Sequence, residues 1–234
     1  MIYIIGELKP LSKAEIQKIE DSVNYSLPID YTNFLAQFGY GEINELLMIV
    51  EPDKGFIRNN FSDFMDFWNW QGMNEQKALD GSTIGKTIDG DIIAVTDDPA
   101  APIIMLPRHS DMPVCFSDFG SVIDYYNTHY KFEDNLYFDT YNQHQMKYIS
   151  LIHDGKVDKD LIDYLHKSFL QKYKTDKAFN LEVQPKYVIQ NIGGWVYFDL
   201  VNSSAIRIKY QQQFEKEASE IIEFFTTKQQ NYLK

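Results

Sequence analysis

LPIDYTNFLAQFGYGEIN, residues 27–44, is the stretch whose reading decides the fold. Pro28 suits the first turn of a helix, where its missing N–H costs nothing. Asp30 lies near the positive end of that helix. Tyr31, Phe34, Leu35 and Phe38 follow at i, i+3, i+4 and i+7, which predicts one apolar helical face. Gly39 reads as a left-handed C-terminal cap, and Gly41 as part of the turn after it. Ile43 to Val50 is apolar enough for a strand, closed by Glu51-Pro52-Asp53. The glycine pair raises the question of a phosphate-cradling loop. A dinucleotide fingerprint needs a strand before its glycines and a helix after them, the reverse of the order here. No Gly-Lys-Ser/Thr follows at the spacing of a phosphate loop either, so Gly-Tyr-Gly is punctuation between a helix and a strand.

Outward from this stretch the pattern alternates helix and strand. Ser12 and Glu15 form a capping box flanked by Leu11 and Ile16, with Ile16, Ile19 and Val23 on one face behind it. Phe61, Phe64, Met65 and Trp68 repeat the helical spacing. Thr83–Ile88 and Asp91–Thr96 read as strands around the hairpin pair Asp89-Gly90. Ile103–Leu106 and Val114–Phe116 read as two more strands, and Phe119, Ile123, Tyr126 and Tyr130 as a helix. Tyr137–Ile152, aromatic and amide-rich, is expected to be helical, as is the segment bearing Leu161, Tyr164, Leu165 and Phe169. Tyr187–Gln190, Trp195–Val201 and Ala205–Tyr210 are expected strands, turning at Gly193-Gly194 and Asn202-Ser203-Ser204. In the last of these, Ile206, Ile208 and Tyr210 alternate with Arg207 and Lys209, as in a half-buried strand. Phe214, Ala218, Ile221, Ile222 and Phe225 define a C-terminal amphipathic helix.

Composition bounds the function. Hydrophobic residues make up 44% and aromatics 15% of 234 residues, enough for a real core. The net charge of −12 is uneven. Residues 1–132 hold 9 Lys and Arg against 20 Asp and Glu, and residues 133–234 hold 13 against 14. This shift, with the change in composition, places a domain boundary at 132/133: a first domain over 1–132 and an extension over 133–234. Strong acidity argues against direct contact with nucleic acid, whose phosphates it repels, and favours a cationic protein partner. The single cysteine suits a reducing compartment. MIYIIGELK has no basic lead-in, and no apolar run approaches the roughly 18 residues of a membrane span. The expectation is a soluble cytoplasmic protein with no membrane contact.

Catalytic and metal patterns fail one by one. His109-Ser110-Asp111 holds the residue types of a hydrolase triad, but adjacent residues do not converge on one reacting atom, so it reads as a polar loop. No G-x-S-x-G elbow occurs. His109, His129, His144, His153 and His166 form no H-E-x-x-H pair, and one cysteine builds no zinc finger. Cys115, between Val114 and Phe116, is expected to be a buried, inert thiol. Asp89, Asp91, Asp97 and Asp98 form the densest acidic group but lack the calcium-loop pattern. They read as turn residues or as an acidic patch that meets a basic partner.

Residues from about Leu11 to Lys131 resemble the SUKH superfamily, the Smi/Knr-type proteins. The resemblance lies in LPIDYTNFLAQFGYGEIN, similar to that family's Leu-Pro-x-x-(Tyr/Phe)-x-x-(Phe/Leu)-Leu…Gly-x-Gly signature. It continues in the loop opened by Glu51-Pro52, in IDGDIIAV (88–95), and in the closing helix begun by Phe116-Ser117-Asp118-Phe119. The resemblance implies an α+β fold, a mainly antiparallel sheet flanked by helices, here with a C-terminal α+β extension. It implies no catalytic residue, cofactor or metal. It further implies an immunity protein that binds a cognate toxin, a nuclease among the candidates, and occludes its active site; the alternative is a non-enzymatic regulatory scaffold. For the contacts with the toxin's basic surface, the acidic residues Glu42, Glu45, Asp89, Asp91, Asp97 and Asp98 are the expected set.

Overall fold

The computed structural model describes residues 2–132 and 135–234. Its backbone falls into two compact units. One holds the residues up to Tyr3 together with Leu8–Tyr141, and the other holds Ile4–Glu7 with Asn142–Lys234. The boundary expected at 132/133 falls on Glu133, outside the described residues.

The chain begins with β1 (Tyr3–Ile5), of which Tyr3 belongs to the first unit and Ile4 and Ile5 to the second, and the first unit continues with α1 (Lys13–Val23). The capping box forms: Ser12 N–H donates to the Glu15 carboxylate at 2.8 Å, while the Ser12 hydroxyl accepts from Glu15 N–H. Helix α2 (Ile29–Phe38) buries Tyr31, Phe34 and Leu35 and ends at Gly39. Gly39 has φ +75° and ψ −156°, an extended conformation reserved for glycine and not the left-handed helical cap expected. Crowding explains the choice, since a Cβ there would lie 2.0 Å from the Lys9 carbonyl oxygen. Gly41 is a strand residue and not part of a turn. It opens β2 (Gly41–Ile43), where a Cβ would meet the Phe138 ring at 2.4 Å. Asn44 and Glu45, both at positive φ, reverse the chain into β3 (Leu47–Asp53). Ile43–Val50 is therefore the turn and returning arm of a hairpin, where the sequence pattern predicts one strand. Asparagine tolerates the left-handed region, and periodicity carries no trace of it.

The chain continues through α3 (Phe56–Phe61), a 3-10 helix over Ser62–Phe67 and α4 (Glu75–Leu79). Then come β4 (Ser82–Thr87), β5 (Ile92–Val95), β6 (Ile103–Leu106), β7 (Val114–Phe116), α5 (Phe119–Tyr130) and β8 (Tyr137–Thr140). The sheet order is β1-β8-β2-β3-β4-β5-β6-β7, antiparallel from β8 to β7. Ile92, Ala94, Ile104 and Leu106 face Ile57, Met65, Trp68 and Leu79. The helices α2 and α5 meet through Tyr31–Phe119 and Phe34–Phe119, with ring centroids 5.1 and 5.2 Å apart, and Phe34 also packs on Phe138 of β8 at 5.6 Å. Tyr126 of α5 reaches Met105 of β6. Each such side chain, fully buried, contributes about 1.5–3 kcal/mol.

The second unit contains β9 (His144–Ser150), β10 (Ile152–His153), β11 (Lys156–Val157), α6 (Lys159–Lys172) and β12 (Lys177–Phe179). It continues with β13 (Lys186–Ile189), β14 (Gly194–Phe198), β15 (Ala205–Gln211) and α7 (Glu215–Tyr232). Its main sheet runs β12-β13-β14-β15-β9, antiparallel throughout. Val196, Phe198, Ile206 and Ile208 pack on Leu165 and Phe169 of α6 and on Ile221 and Phe225 of α7. Gln190 and Gln211 hold the Ile4–Glu7 segment: their side-chain oxygens accept from Gly6 N–H at 3.0 Å and Glu7 N–H at 2.9 Å.

The α+β class and the mainly antiparallel sheet agree with the sequence reading. Besides those at Gly39, Gly41 and Ile43–Val50, further local expectations do not. Tyr137–Ile152 forms β8, β9 and β10 and is not helical. Gln143, at φ 47°, breaks the run, and pairing with β2 and β15 overrides local propensity. Cys115 is exposed, because strand alternation that buries Phe116 turns its neighbour outward. Lys209, expected on a solvated face, is buried at 7% exposure. It stands opposite Trp195 in the register, and the Lys186 ammonium lies 4.6 Å from the Trp195 ring centre.

Candidate functional site

Consecutive antiparallel strands send their connections to alternating ends of a sheet. The turns 44–46, 88–91 and 107–113 therefore share one end of the first sheet, and residues 96–102 lie at the other. This topology divides the sequence-predicted acidic residues. Asp89 and Asp91 flank Gly90 at the first end. Asp97 and Asp98 lie beyond the other end of β5, about 20 Å away at roughly 3.3 Å per residue. Glu45 sits at the β2–β3 tip, beside the acidic turn, because Ile88 N–H donates to the Leu46 carbonyl at 3.0 Å. Glu42 lies on β2 directly across from Asp139 of β8.

The roles of these carboxylates differ. Asp91 is built into the fold: one oxygen accepts from Arg108 N–H at 3.0 Å and the other from the Tyr126 hydroxyl at 3.0 Å. Burial, with Asp91 adding to it, raises the Tyr126 phenol well above its ordinary value, so Tyr126 remains a donor. Asp89 is exposed and accepts from the Tyr130 hydroxyl at the end of α5. That bond, aided by burial, pushes the Tyr130 phenol up to about 12. At the far end, Asp97 lies 3.7 Å from the Lys77 ammonium, and Asp98 caps its own turn by accepting from Ala100 N–H at 3.1 Å.

Beside the acidic turn lies a groove of about 250 Å³ lined by Phe61, Phe64, Phe67 and Trp68 on one side and by Gly90, Ile92, Leu106, Pro107 and Arg108 on the other. Its aromatic wall follows from the 3-10 helix. With three residues per turn, Phe64 and Phe67 eclipse one another, Asp63 and Asp66 form the adjacent row, and Phe61 at the end of α3 adds to the wall. The α-helical spacing expected over Phe61–Trp68 buries Phe64; the tighter turn leaves Phe64 61% and Phe67 51% exposed. The repeat Asp-Phe-Met-Asp-Phe at 63–67, with period three, is the sequence signal for this arrangement. Trp68 anchors the wall, its indole N–H donating to the Pro107 carbonyl at 3.0 Å and its ring 5.8 Å from Phe67. Ile88, on the adjacent turn, is 72% exposed.

The remaining candidates fall elsewhere. His109, Ser110 and Asp111 occupy an exposed loop, where the Ser110 hydroxyl accepts from Met112 N–H and the Asp111 carbonyl from Asn69 N–H. The Cys115 thiol is raised above its ordinary value by partial burial and by Asp98, which disfavours the thiolate. Among the described residues, no group of three or more His, Cys, Asp or Glu is placed to hold a metal ion. No helix among them is long and apolar enough to cross a membrane. The groove sets an aromatic surface beside the exposed carboxylate of Asp89.

The model of the SMI1 / KNR4 family (SUKH-1) matches residues 10–142, more than half of the chain. That family is associated with immunity proteins and is generally a non-enzymatic immunity and regulatory fold. Comparison with curated proteins and with solved structures finds no match. On the extent of the family match, the chain belongs to the SMI1 / KNR4 family (SUKH-1).

Proposed function

We propose that this chain is an immunity protein of the cytoplasm. It binds a cognate toxin, a nuclease in the simplest case, and occludes the toxin's active site without chemistry of its own. The observation that carries the reading is the charge of the family-matched part: residues 10–142 hold 8 Lys and Arg against 22 Asp and Glu. A nuclease presents a positive cleft to hold phosphates. An acidic inhibitor is drawn to that cleft, while aromatic anchors slow its departure. Glu45, Asp89 and the exposed Phe64 and Phe67 lie at one end of the first sheet and suit that encounter best. Glu42, Asp97 and Asp98 contribute to the field from farther away, and Asp91 contributes by holding the turn.

Co-expression with a panel of toxin domains tests the proposal. Growth should be rescued from one toxin and not from the others. Rescue from none, together with capture of several endogenous proteins, would identify a regulatory scaffold instead.

A further inference from the structure

The aromatic groove of the first unit has a shape and a charge that specify what it takes. We propose that it seats one apolar side chain (Leu, Ile, Met or Phe) from a loop of the partner protein, and that a Lys or Arg beside that side chain pairs with the carboxylates of the rim. The inference rests on the immunity reading only for the identity of that partner.

Size is the first argument. At about 250 Å³ the groove lies below the roughly 300–1,000 Å³ of sites that enclose a small molecule or cofactor. It suits a single anchoring side chain. Chemistry is the second. The walls are aromatic and aliphatic, with Arg108 the one charged residue lining them. Phe64 and Phe67, more than half exposed, form a concave apolar surface with a polar rim, the mark of an interaction site. Preorganisation is the third. Trp68 is locked by its bond to Pro107 and by edge contacts with Phe67 and Trp70 at 5.8 and 6.1 Å, so little side-chain freedom is lost when the groove is filled.

Charge selects the occupant. Asp63 and Asp66 stand in the row next to Phe64 and Phe67, both exposed, and Asp89 is exposed on the turn beside Gly90. These three exposed carboxylates outnumber the one guanidinium of the lining, so that together they repel an acidic loop and attract a basic one. The same charges count against a second copy of this chain as occupant, because like rims would face each other.

The test is a titration of the full chain with three synthetic nonapeptides whose central residues are Lys-Leu-Lys, Lys-Ala-Lys or Glu-Leu-Glu, in otherwise glycine and serine sequences. The indole N–H resonance of Trp68 reports on the groove, and that of Trp195 in the second unit is the internal control. The Lys-Leu-Lys peptide should shift Trp68 saturably and leave Trp195 in place. Binding should weaken at least about tenfold for each of the other two peptides, and as much for the F64A/F67A variant, the size of a hot-spot truncation. The D63N/D66N variant should lose most of its preference for the basic over the acidic peptide. Equal response to Lys-Leu-Lys and Lys-Ala-Lys, or an unchanged response in F64A/F67A, overturns the apolar seat. Equal response to the basic and acidic peptides overturns the charged rim. If the wild type rescues cells from a toxin and F64A/F67A rescues equally well, the groove is refuted and the immunity reading stands. If the wild type rescues from no toxin yet binds Lys-Leu-Lys in the groove, the reverse holds.

Discussion

Gly39 and Gly41 show how much one side chain position can decide. Both are glycine because another part of the chain occupies the space a Cβ needs. At Gly39 two costs combine, the positive φ and a clash with the Lys9 backbone; at Gly72, φ is +91° and nothing lies within 4 Å. The two positions therefore separate strain from crowding. Gly39→Ala should destabilise the protein by about 3 kcal/mol or more, and Gly72→Ala by about 1 kcal/mol, the cost of the backbone alone. Urea unfolding of the two variants checks this; equal losses would mean that the Lys9 contact relaxes freely. The sequence order around Gly-Tyr-Gly already excluded a phosphate loop. It held no record of the Lys9 carbonyl or the Phe138 ring, since each lies far along the chain or across a sheet.

At the scale of the element, α6 carries a pH dependence into the second unit. His166 sits on its partly buried side, with a ring nitrogen 2.7 Å from the Tyr187 hydroxyl and its ring centre 4.6 Å from that of Phe198. Burial lowers its pKa from 6.5, against a smaller opposing pull from Asp163. The fold thus prefers the neutral ring. The stability this preserves is fully present above pH 6.5 and is lost as the pH falls through the lower folded value. Between pH 7.5 and pH 5, the urea midpoint of the wild type should fall further than that of His166→Gln. Parallel falls would show that His166 titrates alike in both states. The same helix was legible from Leu161, Tyr164, Leu165 and Phe169, because a regular α-helix writes its period into the sequence. The 3-10 helix over Ser62–Phe67 was misread for the converse reason. Phe61, Phe64, Met65 and Trp68 fit a period of 3.6 while Asp-Phe-Met-Asp-Phe fits a period of three, and the packing of Met65 and Trp68 on the sheet decides that the turn is tighter and Phe64 faces out.

Across the whole molecule the excess negative charge is a long-range property, and its prediction belongs there. If the acidic first unit steers a basic toxin, raising the salt from about 50 to about 500 mM should slow association at least about tenfold and change dissociation little, because screening acts on encounter more than on the docked contact. A salt-independent association rate would remove electrostatic steering from the account. Aromatic anchors act on the other rate constant, so the F64A/F67A and salt effects separate cleanly in a stopped-flow measurement.

The family resemblance implied the α+β class, and the amino-acid sequence by itself determined the capping box at Ser12, the hairpin at Asp89-Gly90 and the charge imbalance. Each is local or additive, written in neighbouring residues or in a sum over them. Tertiary structure alone decided where that charge goes. Asp89 and Asp97 are eight positions apart in sequence, and β5 carries them to opposite ends of a sheet. Phe64 and Arg108 are 44 positions apart, and the fold brings them into one groove. Strand pairing converts sequence separation into spatial position through contacts that periodicity does not encode, and the proposed binding surface is made of those contacts.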